Sequence, residues 1–143
     1  MIMAARVLVV EDDATMAEVL RAYLTRAGYQ VEWTGDGSEA VQLWQRISPD
    51  VVILDIMLPG LSGLEVLRRR RRSGDHACVL VLSARGEEED RLVGLETGAD
   101  DYYVMGLFWR CRHGMRPRFQ IIQHIGLCSH FALRSKARLL IGR

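Results

Sequence analysis

At 143 residues, 49% hydrophobic and 26% charged, with a formal net charge of +1, the chain suits one domain long enough to bury a real core. Its three cysteines, Cys78, Cys111 and Cys128, are an odd number without metal-ligand spacing, which argues against both a disulfide framework and a zinc site. The early apolar run Val7–Val10 is cut off by Glu11, and no stretch approaches the roughly 18 apolar residues of a membrane span, so neither a signal peptide nor a span is expected and a reducing cytoplasm fits.

Short β-branched runs alternate with helical patterns from residue 6 onward. The first run, "RVLVV" at 6–10, is followed by "ATMAEVLRAYLTRAG", in which Met16, Val19, Leu20, Tyr23, Leu24 and Ala27 fall on one helical stripe and Gly28 supplies a stop. Asp13 is expected to cap this helix, because a short acceptor satisfies free amides at a helix start. A second strand is read at "YQVEW" (29–33), and a second helix at 38–47 with Ala40, Val41, Trp44 and Ile47 as its apolar face. "VVIL" (51–54) forms a third strand, followed by a helix at 63–72 with Leu64 and Leu67 inward. "CVLVL" (78–82) is a fourth strand, 87–97 a helix with Leu92 and Leu95 inward, and "DYYV" (101–104) a weaker fifth strand. Near-continuous apolar character in the first, third and fourth runs indicates strands covered on both faces. The fold class is therefore α/β, an open five-stranded parallel sheet with helices on both faces.

In such sheets ligands bind beyond the carboxyl ends of the strands, where the strand order reverses. The first strand ends in Glu11-Asp12-Asp13, the third in Asp55 ahead of a Pro59-Gly60 break, the fourth in Ser83 and the fifth near Met105. If these strands are neighbours, carboxylates converge with a hydroxyl at one rim. Like charges so close are costly unless a cation neutralises them. An oxygen-only set suits a hard ion such as Mg²⁺. Asp55 is then placed to act as a nucleophile toward phosphorus.

"VLVVEDD", "VVILDIMLPGLSGLEVL" and "VLVLSARGEEEDRLVGLETGADDY" together resemble the CheY-like, flavodoxin-like receiver domain of two-component response regulators, in particular the PhoB-like and OmpR-like transcription factors. The resemblance covers residues 5–104. It implies that Asp55 accepts a phosphoryl group from a sensor histidine kinase. It also implies that Glu11 and Asp12 bind Mg²⁺ together with Asp55 and the main-chain carbonyl of Met57, and that Ser83 and Tyr102 form a switch pair. Met57 and Arg85 occupy the variable positions that influence hydrolysis of the acyl phosphate, and an apolar Met57 suggests slow self-dephosphorylation. The protein is expected to be a signalling switch and not an enzyme in the usual sense. An aspartyl-phosphate hydrolase would want a second aspartate at position 57.

Less specific readings stand beside these. Asp55 after an apolar run also suits a turn, Ser83 an ordinary strand-end hydroxyl, and Tyr102 simple packing on the sheet. The run Arg68–Arg72 reads better as a solvated helix end, favoured by the macrodipole, than as a nucleic-acid contact.

The resemblance ends at Met105, where receiver domains carry a lysine followed by proline; this chain has Met105-Gly106-Leu107. Residues 1–105 hold all 18 acids and 11 of the 19 bases, whereas residues 106–143 hold eight bases and no acid. The fifth helix of the family is altered or missing, and 105–143 is read as an atypical basic segment without a DNA-binding domain. An out-of-frame or rearranged end is the favoured explanation, ahead of a replacement helix and of a basic arm for nucleic acid or acidic lipid. Nucleic-acid binding is not expected of this chain. A homodimer through the fourth helix and fifth strand is expected, by the resemblance, from charges such as Asp90, Arg91, Glu96 and Asp101. The alternative function is a receiver-like interaction module whose phosphorylation-driven switching is impaired at Met105.

Overall fold

The computed structural model describes residues 4–83 and 88–104. Five strands and four helices alternate: β1 (Arg6–Val10), α1 (Ala14–Arg26), β2 (Gln30–Thr34), α2 (Gly37–Ile47), β3 (Val51–Asp55), α3 (Gly63–Arg72), β4 (Cys78–Ser83), α4 (Glu88–Thr97) and β5 (Asp101–Val104). The strands pair in parallel in the order β2-β1-β3-β4-β5. The order reverses between β1 and β3, so the loops after these two strands flank the crevice in which ligands of such sheets bind.

Alternate side chains of each strand enter separate cores, as the twofold strand period requires. Leu8, Val10, Val52, Leu54, Val79 and Val81 pack on one face beneath α2 and α3, with Leu43, Trp44, Val66 and Leu67. Val7, Val9, Val51, Ile53, Leu80 and Leu82 face the other way, where Leu20 and Leu24 of α1 meet them. The strand residues Val7–Val10 and Val51–Leu54 are at most 1% exposed, which explains their unbroken apolar run.

The helical faces are partly corrected. In α1 the buried line is Ala17, Leu20 and Leu24, while Tyr23 and Ala27 are exposed, so the predicted stripe is rotated toward Ala17. In α3, Val66 and Leu67 are buried and Leu64 only partly so. In α4 the inward residue is Gly94, whose missing Cβ would stand 2.9 Å from Cδ2 of Tyr102, and the predicted core residues Leu92 and Leu95 are exposed. The aromatic ring occupies the space a larger helix residue would need.

Arg68–Arg72 also departs from the picture of a solvated end. Arg68 and Arg69 pair with Glu65 at the surface, at 2.6 and 3.2 Å. Arg70 is turned in toward Asp75 at 3.3 Å and stands over the Trp44 ring. Arg71 donates to the carbonyls of Asp75, Ala77 and Gly98 and to the carboxylate of Asp100, tying the loop after α3 to the loop after α4. Among the described residues no helix is long and apolar enough to cross a membrane. Arg85, Met105 and the basic segment that follows lie outside the described residues, as does any fifth helix.

Candidate functional site

The register of β1 and β3 fixes which acids meet. Val10 pairs with Leu54, so Glu11 and Asp55 leave adjacent strands side by side at the carboxyl rim. One carboxylate oxygen from each of Glu11, Asp12 and Asp55 lies within 4.8 Å of the others. Glu11 is buried, Asp55 half-buried and Asp12 exposed, so the cluster is closed from within the sheet and open outward.

Local hydrogen bonds hold this geometry. Glu11 N–H donates to the Thr34 carbonyl at 3.1 Å, continuing the pairing of β1 with β2 past the strand end. Glu11 Oε1 accepts from Asp13 N–H at 3.0 Å. Asp13 itself is the expected helix cap: its Oδ1 accepts from the amides of Thr15 and Met16 at 2.9 and 3.1 Å. Asp55 Oδ1 accepts from Met57 N–H at 3.2 Å, an Asx-type turn that steers the chain away from the rim. Met57 therefore meets Asp55 through its amide, and the residue is 55% exposed.

Burial raises the pKa of both inner acids. Desolvation pushes Glu11 from the usual 4.5 up to about 8, against a hydrogen bond from the Asp13 amide and helped by the neighbouring charge of Asp55. Asp55 is also raised, first by desolvation, while the Met57 amide and a proton on Glu11 work to keep it ionised. The site thus resists having all three carboxyls ionised at once, and a cation would relieve that penalty. The three donors are all carboxylate oxygens, the set a hard divalent ion prefers.

The expected switch residues, Ser83 and Tyr102, belong to β4 and β5. Asp55 pairs with Leu82, and Ser83 is the next residue, the last of β4. Tyr102 lies in β5 opposite Val81 and is 4% exposed, its ring in the core against Gly94. Four strand ends, those of β1, β3, β4 and β5, therefore assemble at one edge.

Three residues with no predicted part also shape the site. Gly63, the first residue of α3, lies so close that a Cβ there would fall 2.0 Å from the Asp55 carbonyl oxygen. Gly37, which opens α2, is similarly tight, at 1.8 Å from the Leu61 carbonyl in the loop that follows Asp55. Trp33 donates its indole N–H to the Glu11 carbonyl at 2.8 Å. Gly63 lies within the stretch "VVILDIMLPGLSGLEVL", but single letters give no indication of these close approaches.

The family described as "Response regulator receiver domain" matches residues 7–104. A Mycobacterium sp. (strain KMS) protein named "Response regulator MprA" is 49% identical over 100 residues, which is 70% of this chain and 44% of that protein. The chain thus spans less than half the length of this relative. Among solved structures, the response regulator domain of Thermotoga maritima CheB matches with a TM-score of 0.79 at 26% identity, covering 90% of this chain and 98% of that one. The CheX–CheY–BeF3–Mg²⁺ complex from Borrelia burgdorferi matches with a TM-score of 0.68 at 30% identity, covering 72% of this chain and 79% of that one.

Proposed function

The chain belongs to the response regulator receiver domain family, and from that premise we propose that Asp55 accepts a phosphoryl group from a sensor histidine kinase in a Mg²⁺-dependent reaction. The observation that carries this reading is the meeting of Glu11, Asp12 and Asp55 oxygens within 4.8 Å. Glu11, Asp12 and Asp55, with the Met57 carbonyl, would hold the ion. When bound, it would neutralise the facing carboxylates and the oxygens of the incoming phosphoryl group.

The residues of the chain supply the rest. An Asp55 carboxylate oxygen forms the new O–P bond as the bond between phosphorus and the donor breaks. The Met57 amide keeps the other end of the carboxylate oriented. Glu11 must release its proton before it can serve as a ligand, since only the carboxylate coordinates. Ser83 then offers a hydroxyl to the phosphoryl oxygens from the adjacent strand, and Tyr102 responds behind it as the switch partner. The receiver unit is 5–104, acting in the cytoplasm, and the face of α4 and β5 serves homodimerisation. The exposed Leu92, Val93 and Leu95 on α4 support that face. Asp55 accepts and later loses one group, so the chain works as a switch.

A second reading follows from Met105, which stands where this family carries lysine. Without that ammonium, phosphorylation would proceed while its coupling to the switch weakens, leaving a protein-interaction module. Incubation with acetyl phosphate, with and without Mg²⁺, followed by intact mass and sizing, tests both. The proposal expects one added phosphoryl group that requires Mg²⁺ and is absent in Asp55→Ala. Loading without any change in association or tryptophan fluorescence would favour the second reading; absence of loading would overturn the first.

A further inference from the structure

Trp33 is an odd residue for its place. It lies on the edge strand β2, opposite Val9, and is 37% exposed. An exposed aromatic on an edge strand adds little to the core and invites association. Its polar tip, however, is committed inward: the indole Nε1–H donates to the main-chain carbonyl of Glu11 at 2.8 Å. That carbonyl belongs to the peptide unit joining Glu11 to Asp12, so the bond fixes the plane from which both side chains depart.

The neighbouring residues reinforce the hold. The Glu11 amide donates to the Thr34 carbonyl at 3.1 Å. Gly35 lies against the same peptide, so that a Cβ there would stand 3.3 Å from the Glu11 carbonyl oxygen and 3.4 Å from the Asp12 Cα. The Arg21 guanidinium of α1 stands over the indole, 5.9 Å from the ring centroid, and favours the ring position that makes the bond. The end of β2 thus grips Glu11 through both its N–H and its C=O.

This grip opposes a real force. Asp12 and Asp55 have carboxylate oxygens within 4.8 Å of one another, and like charges at that range push the loop after β1 away from Asp55. A loop free to retreat would have to be drawn back each time a cation binds, and that reordering weakens affinity. We infer that Trp33 is a positioning residue for divalent-cation affinity: its indole N–H locks the Glu11–Asp12 peptide so that both acids face Asp55 before the ion arrives. The inference rests on the reading that these acids hold the ion.

The test is a Mg²⁺ titration by calorimetry on the full chain and on Trp33→Phe, which keeps an aromatic ring and removes the N–H. Loss of one hydrogen bond of ordinary strength corresponds to a dissociation constant raised about fivefold. The half-saturating Mg²⁺ concentration for acetyl phosphate loading should rise by the same factor, with the loading rate at saturating Mg²⁺ unchanged. A merely structural role would lower the melting temperature and leave the dissociation constant where it was. In the wild type, the Trp33 indole N–H should be protected from hydrogen exchange already without Mg²⁺, which decides the matter even if Trp33→Phe does not fold. Equal affinities in the two proteins, or an indole N–H that gains its protection only when Mg²⁺ binds, would overturn the inference while the acidic site stands. A wild type that binds no Mg²⁺ would overturn the site reading and this inference together.

Discussion

Replacing Gly63 by alanine should damage the site from behind. Gly63 begins α3, and its amide donates to the Ile56 carbonyl at 2.9 Å. A Cβ at this position would stand 2.0 Å from the Asp55 carbonyl oxygen, 2.9 Å from the Asp55 carbonyl carbon and 2.9 Å from the Ile56 Cα. Ordinary contact begins near 3.4 Å, so about 1.4 Å must be made up, and every atom in the way is main chain with no rotamer to adopt. Overpacking of this kind costs about 1–3 kcal/mol, only partly offset by the better helix propensity of alanine. The strain falls on the residue that carries the acceptor carboxylate, and a displacement of about 1 Å at a reacting group lowers rates on the order of 100-fold.

Urea denaturation and the rate of acetyl phosphate loading should therefore both deteriorate in Gly63→Ala. Gly28→Ala is the matched control. Its φ of +96° strains any side chain, but nothing lies within 4 Å of its Cβ position and it stands at the far end of α1. That variant should lose about 1 kcal/mol and load at the wild-type rate. Equal loading rates in Gly63→Ala and Gly28→Ala would refute the reasoning.

Three further outcomes are expected. In cation-free protein, Glu11 is raised to about 8 from its ordinary 4.5, so the folded state keeps a proton that the unfolded chain releases; this contribution to stability is complete below pH 4.5 and is lost as pH rises through about 8. Glu65, held low by Arg68 and Arg69, acts only below its ordinary 4.5 and leaves that window alone. Asp55, raised for the same reason, adds a slope of the same sign above its ordinary 3.8; the melting temperature should fall across the window, Glu11→Gln should flatten the slope near pH 8, and a slope near pH 8 that persists in Glu11→Gln would assign it to other groups. Arg71→Ala should cost about 2–4 kcal/mol by urea denaturation, because it strips the carbonyls of Asp75, Ala77 and Gly98 of their donor, whereas exposed Arg72→Ala should stay within about 0.5 kcal/mol. Gly94→Ala should destabilise, as its Cβ meets the Tyr102 ring at 2.9 Å; a gain of about 1 kcal/mol, the propensity value for an open helical site, would show that the ring does not rest there.

Features set by local chemistry were legible in the sequence. The apolar runs of β1, β3 and β4 announce strands buried on both faces, and the residues that end them fall at one rim because a parallel sheet aligns its strand ends. Asp13 could be read as a cap because the requirement for an acceptor lies within three residues of it. Features that depend on distant segments left no such trace. Arg71 is one of five identical letters, and only the loops that converge on it distinguish it from Arg72. Leu92 and Leu95 satisfy a helical period, yet the Tyr102 ring from β5 selects Gly94 for the inner face. Gly63 and Trp33 act on Asp55 and Glu11 through main-chain atoms, which side-chain periodicity does not describe.

The most direct test is to locate the phosphoryl group itself. After loading with acetyl phosphate and Mg²⁺, borohydride reduction should convert one aspartate to homoserine, and peptide mass mapping should find it at position 55, with none when Mg²⁺ is chelated. Homoserine at position 12 or 13 instead, or a yield that is the same without the cation, would contradict the assignment of Asp55 as an acceptor served by a Glu11–Asp12 metal site.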